Sequence, residues 1–507
     1  MHGWLQKLPE DTVRRSPMLS LFYGSMLMAA GDLGGVEPWL ENAEHALAGR
    51  TEGAGLPSAG TDDLLTLPST IAMYRAALAQ ARGDATGTAE HARRALDLAG
   101  PDDHLARGGA AGFLGFAAWA EGDVSTAVQT FTQAVTSLHA AGSLVDALSG
   151  AVVLGDLWLT AGRPSRARRV CAEALASAEA HGSRVARATA ELHVALAEMD
   201  VEVGDLESAR HHLEVAAALA DRAPMTESRY RWFVAKGLLT LADGDPDGAG
   251  ELLHQAQQLY RPGFFPDVRP IPSITARIWI MGGKLSEAGD WAGERGVSVG
   301  DEARFLDEFD HLTLVRLLLA QQRTHPDGDA LAGASELLDR LAAAAERAER
   351  AGSLLEIRVL QALIHDALGR RPLAVQTLAS AVERAPEPEG YRRLFLNEGA
   401  PLLGLLCEAQ SAFGVGDWVR RVAGDTSTVP PASSSGPRVA PAATQSLSDR
   451  ELEVLRLLDT GLTGAQIAGE LFVSHNTIRT HTKHIFTKLD VTTRRAAVLR
   501  AHEQGLL

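Results

Sequence analysis

Between Asn476 and Thr487 the chain gathers amide, hydroxyl and imidazole groups with two permanent cations. At 100° per residue, Asn476, Thr480, Lys483 and Thr487 fall on one side of a helix, flanked by Arg479 and His484. Thr477 and Lys488 stand beside them. These side chains both donate and accept, so they suit base edges, while the cations suit phosphates. No Asp or Glu occurs from Leu471 to Leu489. On the opposite side Ile478, Ile485 and Leu489 lie within roughly 40° of one another, with His481 beside them, and form an inward stripe.

Helix starts that position this face are marked in the sequence. Ser448 with Glu451 forms a capping box, and Leu447 with Leu452 is spaced for a hydrophobic staple across it. Thr463 with Gln466 and Leu462 with Ile467 repeat both devices. Ser474 caps a third helix with Val473 and Ile478 as its staple, although Thr477 replaces the acid or amide of the box. The first helix, Asp449 to about Asp459, is expected to bury Leu452, Leu455 and Leu458; the second, Gly464 to Leu471, Ile467, Ala468 and Leu471. Only Phe472, Val473 and Ser474 separate the second helix from the third, the turn length of a helix-turn-helix.

Other chemistry finds no support in residue spacing. His481 and His484 are three apart on one helix, but no third metal ligand accompanies them; His211 and His212 are isolated in the sequence. No Ser/His/Asp or Cys/His constellation is visible, and none of the five lysines completes a phosphate-binding GxxxxGK[ST] loop. The expectation is a non-enzymatic protein with no catalytic residue, no metal and no cofactor. Cys171 and Cys407 sit in apolar helical stretches and read as small buried hydrophobes in a reducing cytoplasm. The Trp residues read as packing between repeats.

Residues 446–507 resemble the DNA-binding domain of the LuxR (FixJ/NarL-like) family over their whole length. The matching features are the Arg450-Glu451 helix start, Gly461-Leu462-Thr463, Gln466-Ile467-Ala468, Ser474 to Arg479, His481, Lys488-Leu489, Arg494 and the terminal Gly-Leu-Leu. The resemblance implies a third helix in the major groove, with base contact from Arg479, Thr480 and Lys483. It implies phosphate contact from Lys488 and Arg494. A fourth helix, Thr493 to about His502, would serve dimerisation. Thr480 stands where relatives often carry an aliphatic residue, which bears on sequence preference. Sigma-factor region four also begins LSxRE, but continues with a basic run where this chain has Arg479-Thr480-His481-Thr482-Lys483.

Upstream, Gly83, Gly122, Gly162, Gly204, Gly244, Gly283 and Gly369, with Gly328 as a further member, are spaced 39 to 45 residues apart once Gly328 is included. Asp often follows the glycine. Ala127, Ala167, Ala209, Ala249, Ala288 and Ala374 lie five residues beyond it. A period near forty built from two helices is the signature of an α-solenoid. The fold class expected is all-α: a solenoid of about 40-residue helix pairs over 1–423, a linker, and a four-helix DNA-binding domain over 446–507. The linker, residues 424–445, reads GDTSTVPPASSSGPRVAPAATQ and would span roughly 25 to 30 Å as a flexible coil.

Charge follows this division. The 507-residue chain carries −16, yet residues 446–507 hold eight Arg/Lys against seven Asp/Glu, so the excess acid lies in the first 445. Ser16 to Gly31 is apolar but too short for a span of ~20 residues, and acids interrupt its basic flank, so neither signal peptide nor membrane anchor is expected.

The solenoid is similar to the tetratricopeptide-like superhelix of MalT-like and large ATP-binding LuxR regulators. Tyr391 to Leu406 resembles the end of their repeat region and Trp4 to Gly24 its start. Because the chain opens where their repeats open, their ATPase is expected to be lost or to lie upstream. The function implied is a bacterial transcriptional regulator acting on double-stranded DNA as a homodimer, with RNA polymerase as a further partner and an unidentified inducer or protein at the repeats. A helical scaffold without functional DNA contact is the alternative.

Overall fold

Gly122 shows how one repeat is built. Helix His104–Ala120 ends where Gly122 adopts φ +78°, a left-handed conformation that a Cβ would oppose. The Gly122 N–H then donates to the Trp119 carbonyl (2.9 Å) and the Asp123 N–H to Ala118 (2.9 Å), closing the helix end. Asp123 at once opens the next helix, Val124–Ala140, by accepting from the Thr126 N–H at 3.0 Å. A Gly-Asp pair therefore ends one helix and starts its antiparallel partner. Asp84, Asp205 and Asp245 cap in the same way. The six alanines five residues past the glycines are fully buried, so the paired helices meet without intervening side chains.

The computed structural model describes residues 9–52, 61–220, 229–263, 265–323, 328–414, 418, 449–460, 462–463, 466–467, 482, 485, 491 and 494–503. They belong to two units, Met1–Ala432 and Ser433–Leu507. The described elements are helices throughout, and in the first unit they pair as neighbours along the chain. Its core is a succession of local apolar clusters, the largest running from Leu312 to Trp418, as expected where each repeat packs on the next. Trp119 and Trp291 are buried within it.

Gly328 departs from the expected series. It begins helix Gly328–Arg347 instead of ending one. The series also starts earlier than expected: Gly31 (φ +82°) and Asp32, which accepts from the Gly35 N–H at 3.1 Å, repeat the device before helix Leu33–Glu52. The apolar stretch after Ser16 is helix Pro17–Ala29, packed on that next helix. Among the described residues no helix is long and apolar enough to cross a membrane.

Two other expectations are corrected. Cys171 is buried, and burial pushes its thiol up to about 12, but Cys407 is exposed. It shares helix Ala400–Phe413 with Leu402, Leu405, Leu406 and Ala409, which take the inward side and leave Cys407 outside. Nor is His212 isolated. Its Nδ1 lies 2.8 Å from His193 Nδ1 across the hairpin, and its Nε2 is 3.7 Å from Asp200, which also pairs with Arg168.

Burial, together with the neighbouring His212, brings His193 down to about 4 from an ordinary 6.5. Burial also lowers His212, against the pull of Asp200. Between these values the unfolded chain holds more protons than the folded one, so acid favours unfolding. As pH drops from 6.5 towards 4, the thermal midpoint of the wild type should fall relative to that of His193→Gln, which lacks this proton uptake on unfolding. Midpoints of the two proteins that run parallel across that window would show that His193 does not couple to folding.

Candidate nucleic-acid interface

The second unit has its own core. Helix Asp449–Asp459 buries Val454, Leu455 and Leu458; Ile467, Ile485, Ala497 and Ala501 complete the cluster. Leu455, Leu458 and Ile467 were expected there, whereas Val454 was not. Its burial beside Leu455 means that the first helix is covered over a wider face than one stripe. The fourth helix is Arg494–Glu503, one residue from each expected boundary, and it packs against the first.

The second capping box forms as the sequence indicates. Gln466 Oε1 accepts from the Thr463 N–H at 2.9 Å, and the Gln466 N–H donates back to Thr463 Oγ1 at 3.4 Å. Leu462 lies half-buried against the cluster that contains Ile467, consistent with the staple. The box at Ser448 and the cap at Ser474 involve residues outside those described.

Of the third helix, Thr482 and Ile485 are described, both helical, and Ile485 is fully buried. Asn476, Thr477, Arg479, Thr480, Lys483, His484, Thr487 and Lys488 lie outside the described residues, as does His481. Arg494 is the one proposed contact residue that the structure places. Its Nε donates to the Leu458 carbonyl (2.8 Å) and its Nη1 to that of Leu462 (2.6 Å), while Nη2 is buried without a hydrogen-bond partner among the described residues. One guanidinium thus ties the fourth helix to the end of the first and to the turn that opens the second. The Arg494 position carried no sign of this tie in the sequence, because the accepting groups are main-chain carbonyls 32 and 36 residues away.

Comparison with known proteins matches both units. The model for the MalT-like TPR region covers residues 69–412, and that for bacterial regulatory proteins of the luxR family covers residues 445–501. Over 60 residues the chain is 46% identical to a nitrate/nitrite response regulator protein homolog of Haemophilus influenzae, covering 12% of this chain and 29% of that protein. It is 43% identical over 63 residues to the transcriptional regulatory protein LiaR of Bacillus subtilis, covering 12% and 30%. The chain therefore spans under a third of the length of these relatives. A solved structure of a Rap protein complexed with competence and sporulation factor shares the fold with TM-score 0.51 and 14% identity, over 75% of this chain and 99% of that one. The chain accordingly belongs to the MalT-like TPR family and carries a luxR-family regulatory domain near its C-terminal end.

Proposed function

We propose that this is a bacterial, cytoplasmic, non-enzymatic transcription regulator that binds double-stranded DNA through residues 446–507. In this reading residues 1–423 receive a protein, peptide or small-molecule signal, and residues 424–445 link the two parts. The observation that carries it is the luxR-family match laid on a core in which Ile485 faces inward. With Ile485 inside, a helical period of 100° would put Lys483 and Thr487, together with Asn476 and Thr480, on the far side. Arg479, Thr480 and Lys483 would read base edges in the major groove, and Asn476, Thr477, His484 and Thr487 would line the same face. Lys488 and Arg494 would meet phosphates; the carbonyl ties of Arg494 make Lys488 the cleaner probe of that role.

A homodimer on DNA is part of this proposal. Leu499, on helix Arg494–Glu503, is 61% exposed, an apolar side chain left for a second copy. RNA polymerase would be met by the DNA-bound form.

A fragment from Thr444 to Leu507 has its own apolar core and should bind duplex DNA without the solenoid, more weakly as salt rises, because each neutralised phosphate releases counterions. A folded fragment showing no salt-sensitive binding would sink the reading. Recovery of genomic DNA crosslinked to the full chain separates regulator from scaffold, since a scaffold enriches no common sequence.

A further inference from the structure

Not all the repeat glycines are open to solvent. A Cβ at Gly83, Gly244, Gly283 or Gly369 would meet nothing within 4 Å. At Gly122 it would lie 2.8 Å from the Phe305 Cβ, at Gly162 2.9 Å from the Ala351 Cβ, and at Gly204 3.1 Å from Arg392. The later part of the solenoid therefore runs back along the glycine turns of three earlier hairpins. Gly352 sits so close that a Cβ there would fall 2.5 Å from the Leu159 carbonyl oxygen. Tyr391 donates its hydroxyl to that same oxygen.

The two windings also complete each other's helices. Helix Pro164–Glu179 follows Gly162-Arg163, where the usual Asp is missing, and Arg163 gives it no side-chain cap. Glu387 supplies the cap from 222 residues away: its carboxylate accepts from the Ser165 N–H (2.8 Å) and hydroxyl (2.9 Å). In return, helix Arg392–Asn397 has no cap of its own, and Glu202 of the first winding accepts from the Leu394 N–H at 3.0 Å. First-turn N–H groups need such acceptors.

We propose that these contacts form a clasp between residues 159–204 and 351–394, which opens and closes as one unit and sets whether the windings are engaged. Each cap lies on a different winding, so neither helix start keeps its partner once the windings separate. The clasp is a conformational switch internal to the repeats, available to any signal that favours one state.

Amide hydrogen exchange on the full chain tests it. Glu387→Ala should speed exchange roughly fivefold at Ser165 to Ala167, the effect of one lost cap. It should also speed exchange at Leu394 to Leu396 by a similar factor, although those amides never touch Glu387. Glu202→Ala should give the reciprocal pattern, and helix Ala85–Leu98, away from the clasp, should not change in either variant. Acceleration confined to the helix whose own cap was removed, or none at all, would overturn the proposal. Glu387→Gln keeps one acceptor oxygen and should give a smaller acceleration at both places; a loss at only one place there counts equally against a single unit.

Discussion

Arg350→Ala is expected to destabilise the solenoid by about 3 to 5 kcal/mol, the cost of leaving a buried charge without its partner. Arg350 is 3% exposed, and its Nη2 lies 2.8 Å from a Glu308 oxygen whose side chain is 7% exposed. Its Nη1 reaches the Gly122 carbonyl at 3.5 Å, and the guanidinium stands 4.8 Å from the centre of the Phe305 ring. Truncation removes all three contacts. The carboxylate left behind has already been pushed above its usual range by burial, with Arg350 opposing that shift. Replacing both partners, Glu308→Leu with Arg350→Met, should recover most of the loss, because no unpaired charge then remains. Urea midpoints followed by far-UV circular dichroism measure this. A single variant as stable as the wild type would mean that water reaches Glu308 once the arginine is gone.

The second large effect is expected on DNA. If Lys483 reads a base, Lys483→Ala removes ~1 to 3 kcal/mol at one position, roughly 5- to 150-fold in affinity for a recovered genomic site, with little change on random duplex. Lys488→Ala should instead weaken both DNAs alike and lower the salt slope by about one unit per protomer. The two variants should differ in kind, not only in size. Equal loss on both DNAs for Lys483→Ala, in a domain that keeps its helical signal, would falsify the base-reading face. Arg494→Ala is the poorer phosphate probe. It also removes the ties to the Leu458 and Leu462 carbonyls, so its loss of binding would be mixed with loss of fold.

What could be read in the sequence was what depends on near neighbours. Gly-Asp announces both a helix end and the next helix start, because both hydrogen-bonding devices close within a few residues. The Thr463 and Gln466 box is legible for the same reason. Gly31 stands 52 residues before Gly83, off the period of about forty, so spacing does not reveal it. Gly328 keeps the spacing but starts a helix. The outward side of Cys407 follows from the stripe of Leu402, Leu405, Leu406 and Ala409 on its own helix. His193 facing His212 and Arg494 reaching back to Leu458 depend instead on which helices meet, which periodicity alone does not specify. Likewise, nothing around Ser165 announces a cap supplied by Glu387.

That borrowed cap bears on how the chain can be altered. In an array where each repeat touches only its neighbours, removing one unit shortens the structure and leaves the rest in place. Here Ser165 and Glu387 must arrive opposite each other after 222 residues of helical hairpins, as must Glu202 and Leu394 after 192. Loss or gain of one hairpin between them would advance one winding past the other by a repeat and strand both carboxylates. Gene rearrangements that add or drop a repeat between Ser165 and Glu387 should therefore be selected against.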